Sequence, residues 1–342
     1  MKKILVVLLT LIMVFSFAAC GNDQQGTEEG PTAENPVVWK VGTSAGLVNG
    51  HHVIYDFILE IAENVKEATG GRYIIEPYHS SQLGSDRDTL EGTVMGTYQM
   101  TVVPGTFCAA YVDEFNVFEF PYLFQSGEHF FNTMQSDIAK EIGDKLEDAA
   151  GLKWLGNGLN GCICLTNSVR PIKNVEDFAN IKIRVIDSPI EVGAINLLGG
   201  NGTVVNWGET YTALQQNTID GCATTGSGFL SANIQEVQKY FTEANMFYTP
   251  ITVVMNLEYW DTLPAEDQAL IQEAVSKAIQ WDAENGLTML NNDAKTAIEK
   301  GNLEFVSYEE FDHEAAKAAV APLFDEYAKF QSYFDRIAEL AK

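Results

Sequence analysis

Few side chains in this sequence are placed to do chemistry, and Arg184 comes first among them. The chain has five arginines, at 72, 87, 170, 184 and 336. A guanidinium is a rigid, permanently charged fork that matches a carboxylate through two parallel hydrogen bonds. Arg184 falls near the carboxyl end of an expected strand, where open α/β sheets bind their ligands. Its other use would be as an ion-pair partner for one of the 47 aspartates and glutamates, the ordinary role of an arginine in an acidic protein. Trp207 offers a large rigid wall for an apolar ligand or, alternatively, a core anchor. Ser44, His51, Thr106 and Phe107 follow expected strands, where cleft loops lie. H-E-x-x-H and G-x-x-x-x-G-K do not occur, and no G-x-S-x-G hydrolase elbow is expected. His51 and His52 are adjacent at a helix start and point different ways, which argues against a metal pair. Cys162 and Cys164 share a strand face but lack the paired C-x-x-C spacing of zinc sites. Cys108 and Cys222 join them as expected buried thiols. The reading calls for no catalysis, no cofactor and no metal.

The elements that would position these residues follow from periodicity. Residues 181–221 read as strand, helix, strand, helix, strand. Ile181, Ile183 and Val185 alternate with polar neighbours, as in a strand. Ser188 is an expected helix cap, with Pro189 at the first position and Glu191 closing a capping box. Tyr211 and Leu214 belong to the next helix as core residues. Earlier, Val37 to Gly42 reads as a strand. Ile54, Phe57, Ile58, Ile61, Ala62, Val65 and Ala68 then make one apolar helix face. Tyr73–Tyr78 and Tyr98–Val103 are strands flanking a helix at Asp86–Met95. Two β-α-β-α-β runs imply an α/β fold of two lobes. Residues 127–149 read as one helix, and the glycine-rich 156–162 as a hinge between lobes. A long helix starts at Pro264 and is expected to brace both lobes, with Gly286 as a possible break. Closing helices occupy residues 309–342.

Several ordered motifs in this chain resemble those of one family, the solute-binding proteins of TRAP transporters (DctP type). They are Ile181-Lys182-Ile183-Arg184-Val185, then Trp207-Gly208-Glu209-Thr210-Tyr211-Thr212-Ala213-Leu214-Gln215 ending in Asp220-Gly221. Ser81-Gln82-Leu83-Gly84-Ser85-Asp86-Arg87 and Phe120-Pro121-Tyr122-Leu123-Phe124 flank them. The resemblance spans about residues 37–310. It implies a periplasmic-binding-protein type II fold with ligand between the lobes, Arg184 on a ligand carboxylate, and delivery to membrane permease subunits. Two departures stand out. Many members carry a second arginine after Asn-Gly, whereas Asn160-Gly161 is followed here by Cys162-Ile163-Cys164. Many also have D-G-Q-E-N, whereas Thr224 stands here where an amide would be. Cys162, Ile163 and Thr224 are therefore candidate ligand contacts, and the expected ligand is a monocarboxylate with an apolar or aromatic body. The alternative partner is a membrane receptor, with this chain as a ligand-presenting sensor. The neighbouring genes would separate the two.

Composition agrees with such a role. The net charge of −26 excludes a nucleic-acid partner, which needs basic surface. Lys2 and Lys3 followed by the apolar run Ile4–Phe17 read as a secretory leader. Phe17-Ala18-Ala19-Cys20-Gly21 resembles a lipobox, making Cys20 the expected lipidated residue and the membrane anchor. Residues 1–19 are thus an expected lipoprotein signal peptide, and 20–36 a flexible tether. Lobe I is expected at 37–158 and 249–285, and lobe II at 159–248 and 286–342. The expected location is extracytoplasmic.

Overall fold

The computed structural model describes residues 30–341. Cys20, with the leader and most of the tether, lies outside the described residues. Strands are numbered β1 to β11 in chain order. β1 (Val37–Gly42) and β2 (Tyr73–Tyr78) pair in parallel. The helix between them, Val53–Ala68, buries Val53, Ile54, Phe57, Ile58, Ile61 and Val65. Each large apolar side chain so removed from water is worth about 2 kcal/mol. β3 (Met100–Pro104) and β4 (Leu152–Cys162) flank the antiparallel β10 (Tyr248–Asn256). This is the first lobe.

The second lobe is a six-stranded mixed sheet in the order β11-β9-β5-β8-β6-β7. It joins β5 (Cys164–Asn167), β6 (Lys182–Val185), β7 (Asn201–Val204), β8 (Gly221–Thr224), β9 (Tyr240–Thr242) and β11 (Glu304–Val306). β6, β7 and β8 run parallel, as the β-α-β-α-β reading requires. Ser188 accepts a hydrogen bond from the Glu191 N–H at 3.3 Å and caps the Pro189–Leu197 helix.

Three elements differ from expectation. The expected hinge at 156–162 is regular strand. β4 runs through these residues, paired with β10 out to Cys162. The glycines there serve close packing instead. A Cβ on Gly158 would stand 2.8 Å from Asp282 Oδ2 and 3.1 Å from Phe57, leaving no room for a side chain under the long helix. The 127–149 stretch is two helices, Gly127–Met134 and Asp137–Ala150, because Ser136 caps a new start. The long helix is unbroken over Ala265–Gly301, about 55 Å at 1.5 Å per residue. Gly286 does not interrupt it. A Cβ there would stand 2.4 Å from Asp282 Oδ1.

The long helix packs on the Val53–Ala68 helix and β4 of the first lobe, and on the Gly226–Ser231 helix of the second. At that second crossing, a Cβ on Gly226 would meet the Leu290 carbonyl oxygen at 2.2 Å and Ala294 Cβ at 2.9 Å. Backbone cannot yield as a flexible side chain does. Gly226→Ala is expected to cost about 3 kcal/mol of stability in denaturant titration. A loss under 1 kcal/mol would contradict this packing.

Candidate functional site

Between the lobes lies a cavity of about 540 Å³, with walls from both sheets. Arg184, one residue before the end of β6, is only 6% exposed and lines it. Its Nε–H donates to the Val205 carbonyl at 3.0 Å, which fixes the guanidinium plane. The Trp207 ring centroid is 5.2 Å from Cζ, within cation–π range. Trp207 reaches this position because residue 228 is glycine. A Cβ there would stand 3.2 Å from the indole.

The other arginines are engaged elsewhere. Arg72 pairs with Asp267 and Arg336 with Glu141. Arg170 donates to the carbonyls of Asp177 and Ala179. Arg87, on the first lobe, pairs with Asp187 of the second at 2.6 Å. Among the described residues no carboxylate comes within ion-pairing distance of Arg184.

Two buried acids also line the cavity. Glu191 is 2% exposed, and burial pushes its carboxyl up to about 7 even though the Arg184 charge pulls it down. It does not complete the capping box. Its carboxyl lies against the Ile186 backbone N–H, at the cavity wall, and not on Ser188. Glu119 is 1% exposed, and neither carboxylate oxygen has a hydrogen-bond partner. Burial, then the Glu191 charge, raises it well above the ordinary range. The Thr106 hydroxyl is likewise buried without a partner.

The Arg87–Asp187 pair bridges the lobes at the cavity, with Arg87 lying 5.3 Å from the Phe107 ring centroid. Both ends are exposed, so the pair is worth about 0.5 kcal/mol. Arg87→Ala is expected to weaken ligand binding about two- to threefold at low salt, a difference that vanishes at high salt. A loss of 30-fold or more would mean that Arg87 meets the ligand itself.

Family comparison decides what this constellation belongs to. Residues 45–330 match the model of DctP, bacterial extracellular solute-binding protein, family 7. The chain belongs to this family. The C4-dicarboxylate-binding periplasmic protein DctP of Rhodobacter capsulatus is 29% identical over 272 residues, covering 78% of this chain and 80% of that protein. A TRAP periplasmic solute-binding protein from Bordetella bronchispeptica, with density assigned to pantoate, superposes with a TM-score of 0.82. It is 28% identical, and the match covers 90% of this chain and 99% of that one. A second, from Polaromonas sp. JS666 bound to D-erythronate, has a TM-score of 0.81 and 26% identity, covering 89% and 98%. TRAP solute-binding proteins take up small organic acids and work with membrane permease subunits. A family of transport binding proteins supports a reading without catalysis.

Set against this DctP-family fold, Arg184, Trp207, Thr224, Ile163, Thr106, Phe107 and Ser44 come together around the cavity. Cys162 and His51 do not. Side chains alternate along extended chain, so Ile163 faces the cavity while Cys162 and Cys164 face a second hollow with Glu243 and Asn245. The same alternation turns His52 to the cavity and His51 away. His51 pairs instead with Asp56, and its Nε2 is 3.7 Å from Asp293. His52 caps its helix by accepting from the Ile54 N–H, and burial drives its pKa down to about 3. Cys108, Cys162, Cys164 and Cys222 are free thiols. Gly42-Thr43-Ser44-Ala45-Gly46 has the spacing of a hydrolase elbow, but the Ser44 hydroxyl donates to Asp86, not to a histidine. Among the described residues no cluster could hold a metal ion, and no helix is long and apolar enough to cross a membrane.

Proposed function

We propose that this DctP-family protein captures a small monocarboxylate with an apolar or aromatic body in the interlobe cavity and presents it to a TRAP permease. The observation that carries the reading is Arg184, buried, oriented by Val205 and Trp207, and, among the described residues, in no ion pair while it lines the cavity. Such a group is satisfied by an anion entering the cavity. D-erythronate, in the Polaromonas relative, is a ligand of this charge class. The body of the ligand is assigned from the walls. No arginine follows Asn160-Gly161 here, and Ile163, Ala223, Trp207 and Phe107 supply apolar surface. Thr224 and Ser44 supply polar contacts at the rim of this surface. Lobe limits near 37–158 with 249–285, and 159–248 with 286–342, go with this reading. So does a lipid anchor at Cys20, supported by the Phe17–Gly21 sequence alone.

Capture works by closure. An acid that touches Arg184 on one lobe and Thr106 on the other binds the closed state better than the open one, and that difference shifts the population. The permease then reads the closed surface. Calorimetric titration of 3-phenylpropanoate, D-erythronate and the methyl ester of each tests the assignment. Both acids should bind better than their esters, and the phenyl compound better than the sugar acid. Esters binding as well as acids would overturn the carboxylate assignment. Tighter binding of D-erythronate would overturn the apolar body.

A further inference from the structure

Resting on the carboxylate reading above, we infer that the ligand also carries an amino group, which sits against Glu119 and Glu191, so that the cavity selects zwitterions over plain acids. The argument begins with the accounting of charge around the cavity. Asp86 accepts from the Ser44 N–H at 2.9 Å and from its hydroxyl. Asp88 accepts from the Ser85 N–H at 2.8 Å and from its hydroxyl at 2.7 Å. Asp187 is taken by Arg87. Two lining acids remain, Glu119 and Glu191, facing one guanidinium. Burial holds both acids toward the protonated form, and a cation beside them is what would let them ionise. A zwitterion brings its own cation.

Glu119 gives the inference its direction. It stands between Phe118 and Phe120, both buried, where the apolar run would favour another hydrophobic residue. Both of its oxygens are buried and unpartnered, in a residue that lines the ligand cavity. Buried carboxylates ordinarily have donors. An ammonium group has three N–H donors and a charge to offer. Glu191 senses the Arg184 charge, and Glu119 senses that of Glu191. Arg184, Glu191 and Glu119 line one cavity, so an amino acid bound there would have a cation for its carboxylate and acids for its amino group. The unpartnered Thr106 hydroxyl, in the same cavity, is a further acceptor for the amino group.

The test is a calorimetric comparison of matched pairs: phenylalanine with 3-phenylpropanoate, leucine with 4-methylpentanoate, and 4-aminobutanoate with butanoate. At least one amino member should bind more than tenfold tighter than its partner. Glu119→Gln, which keeps the shape and removes the charge, should abolish that preference by weakening the amino member alone. Partners that bind as tightly as the amino compounds, or a preference untouched by Glu119→Gln, would overturn the inference and leave the carboxylate reading standing. So would release of a nitrogen-free acid from the purified protein if no pair binds. Binding of the preferred compound that is indifferent to Arg184→Ala would instead remove the carboxylate reading itself.

Discussion

Arg184→Ala is expected to lower affinity for the captured acid by about 100-fold or more. A charge-assisted fork between guanidinium and carboxylate is worth about 3 kcal/mol in a site shielded from water, and about 1.4 kcal/mol is a tenfold change. Little stability should be lost with it. Among the described residues the guanidinium makes no ion pair, and its hydrogen bonds go to the Val205 carbonyl and the Cys222 thiol. Removing it also relieves Trp207 of a stacked cation, so indole fluorescence should shift in the free protein. Arg184→Lys keeps the charge but not the fork, and should recover only part of the binding. The measurement is calorimetry on the three proteins, with thermal unfolding alongside. Equal affinities would place the ligand's acid elsewhere in the cavity.

The second large effect is on stability, and it depends on pH. Asp282 is fully buried on the long helix where that helix crosses β4. Its Oδ2 accepts from the Leu159 N–H at 2.6 Å, while Oδ1 has no partner. Burial raises its pKa from the ordinary 3.8 to about 7. The folded protein thus holds a proton that the unfolded chain has released between those values. Stability from this group falls as pH rises from about 4 to about 7, and stays low above that. A shift of this size corresponds to about 4 kcal/mol at most. Asp282→Asn removes the ionisation. It should gain about 2 kcal/mol or more over the natural protein at pH 8, with the difference closing as pH falls toward 4. Urea titrations of both proteins at several pH values check this. A variant equally destabilised at every pH would mean that the carboxylate is needed ionised, as a fixed acceptor for β4.

How far the sequence revealed these features depended on the length and phase of each pattern. The helix faces at Val53–Ala68 and in the first half of Ala265–Gly301 were plain, because apolar residues recur at three and four over many turns. Arg184 stood out because the strand around it alternates cleanly and arginine is scarce. What failed was phase over short stretches. His51 and His52, or Cys162 and Ile163, differ by one position, and one position changes the face. The glycines at 156–162 read as a hinge because glycine serves both free backbone and close packing, and only the long helix above them shows the packing. Glu191 matched the spacing of a helix cap, a local rule, while its side chain answers to Arg184 across the cavity. Glu119 carried a visible signal, an acid set between two phenylalanines. Its meaning required the cavity that faces it.

The central claim is that this cavity holds a small acid through Arg184. It is tested most directly by native mass spectrometry of the protein as purified, followed by denaturation and identification of whatever is released. The account predicts one molecule per chain, small enough for a cavity of about 540 Å³, bearing a carboxylate, and missing from Arg184→Ala prepared in the same way. A neutral molecule at the same stoichiometry, retained by Arg184→Ala, would contradict it.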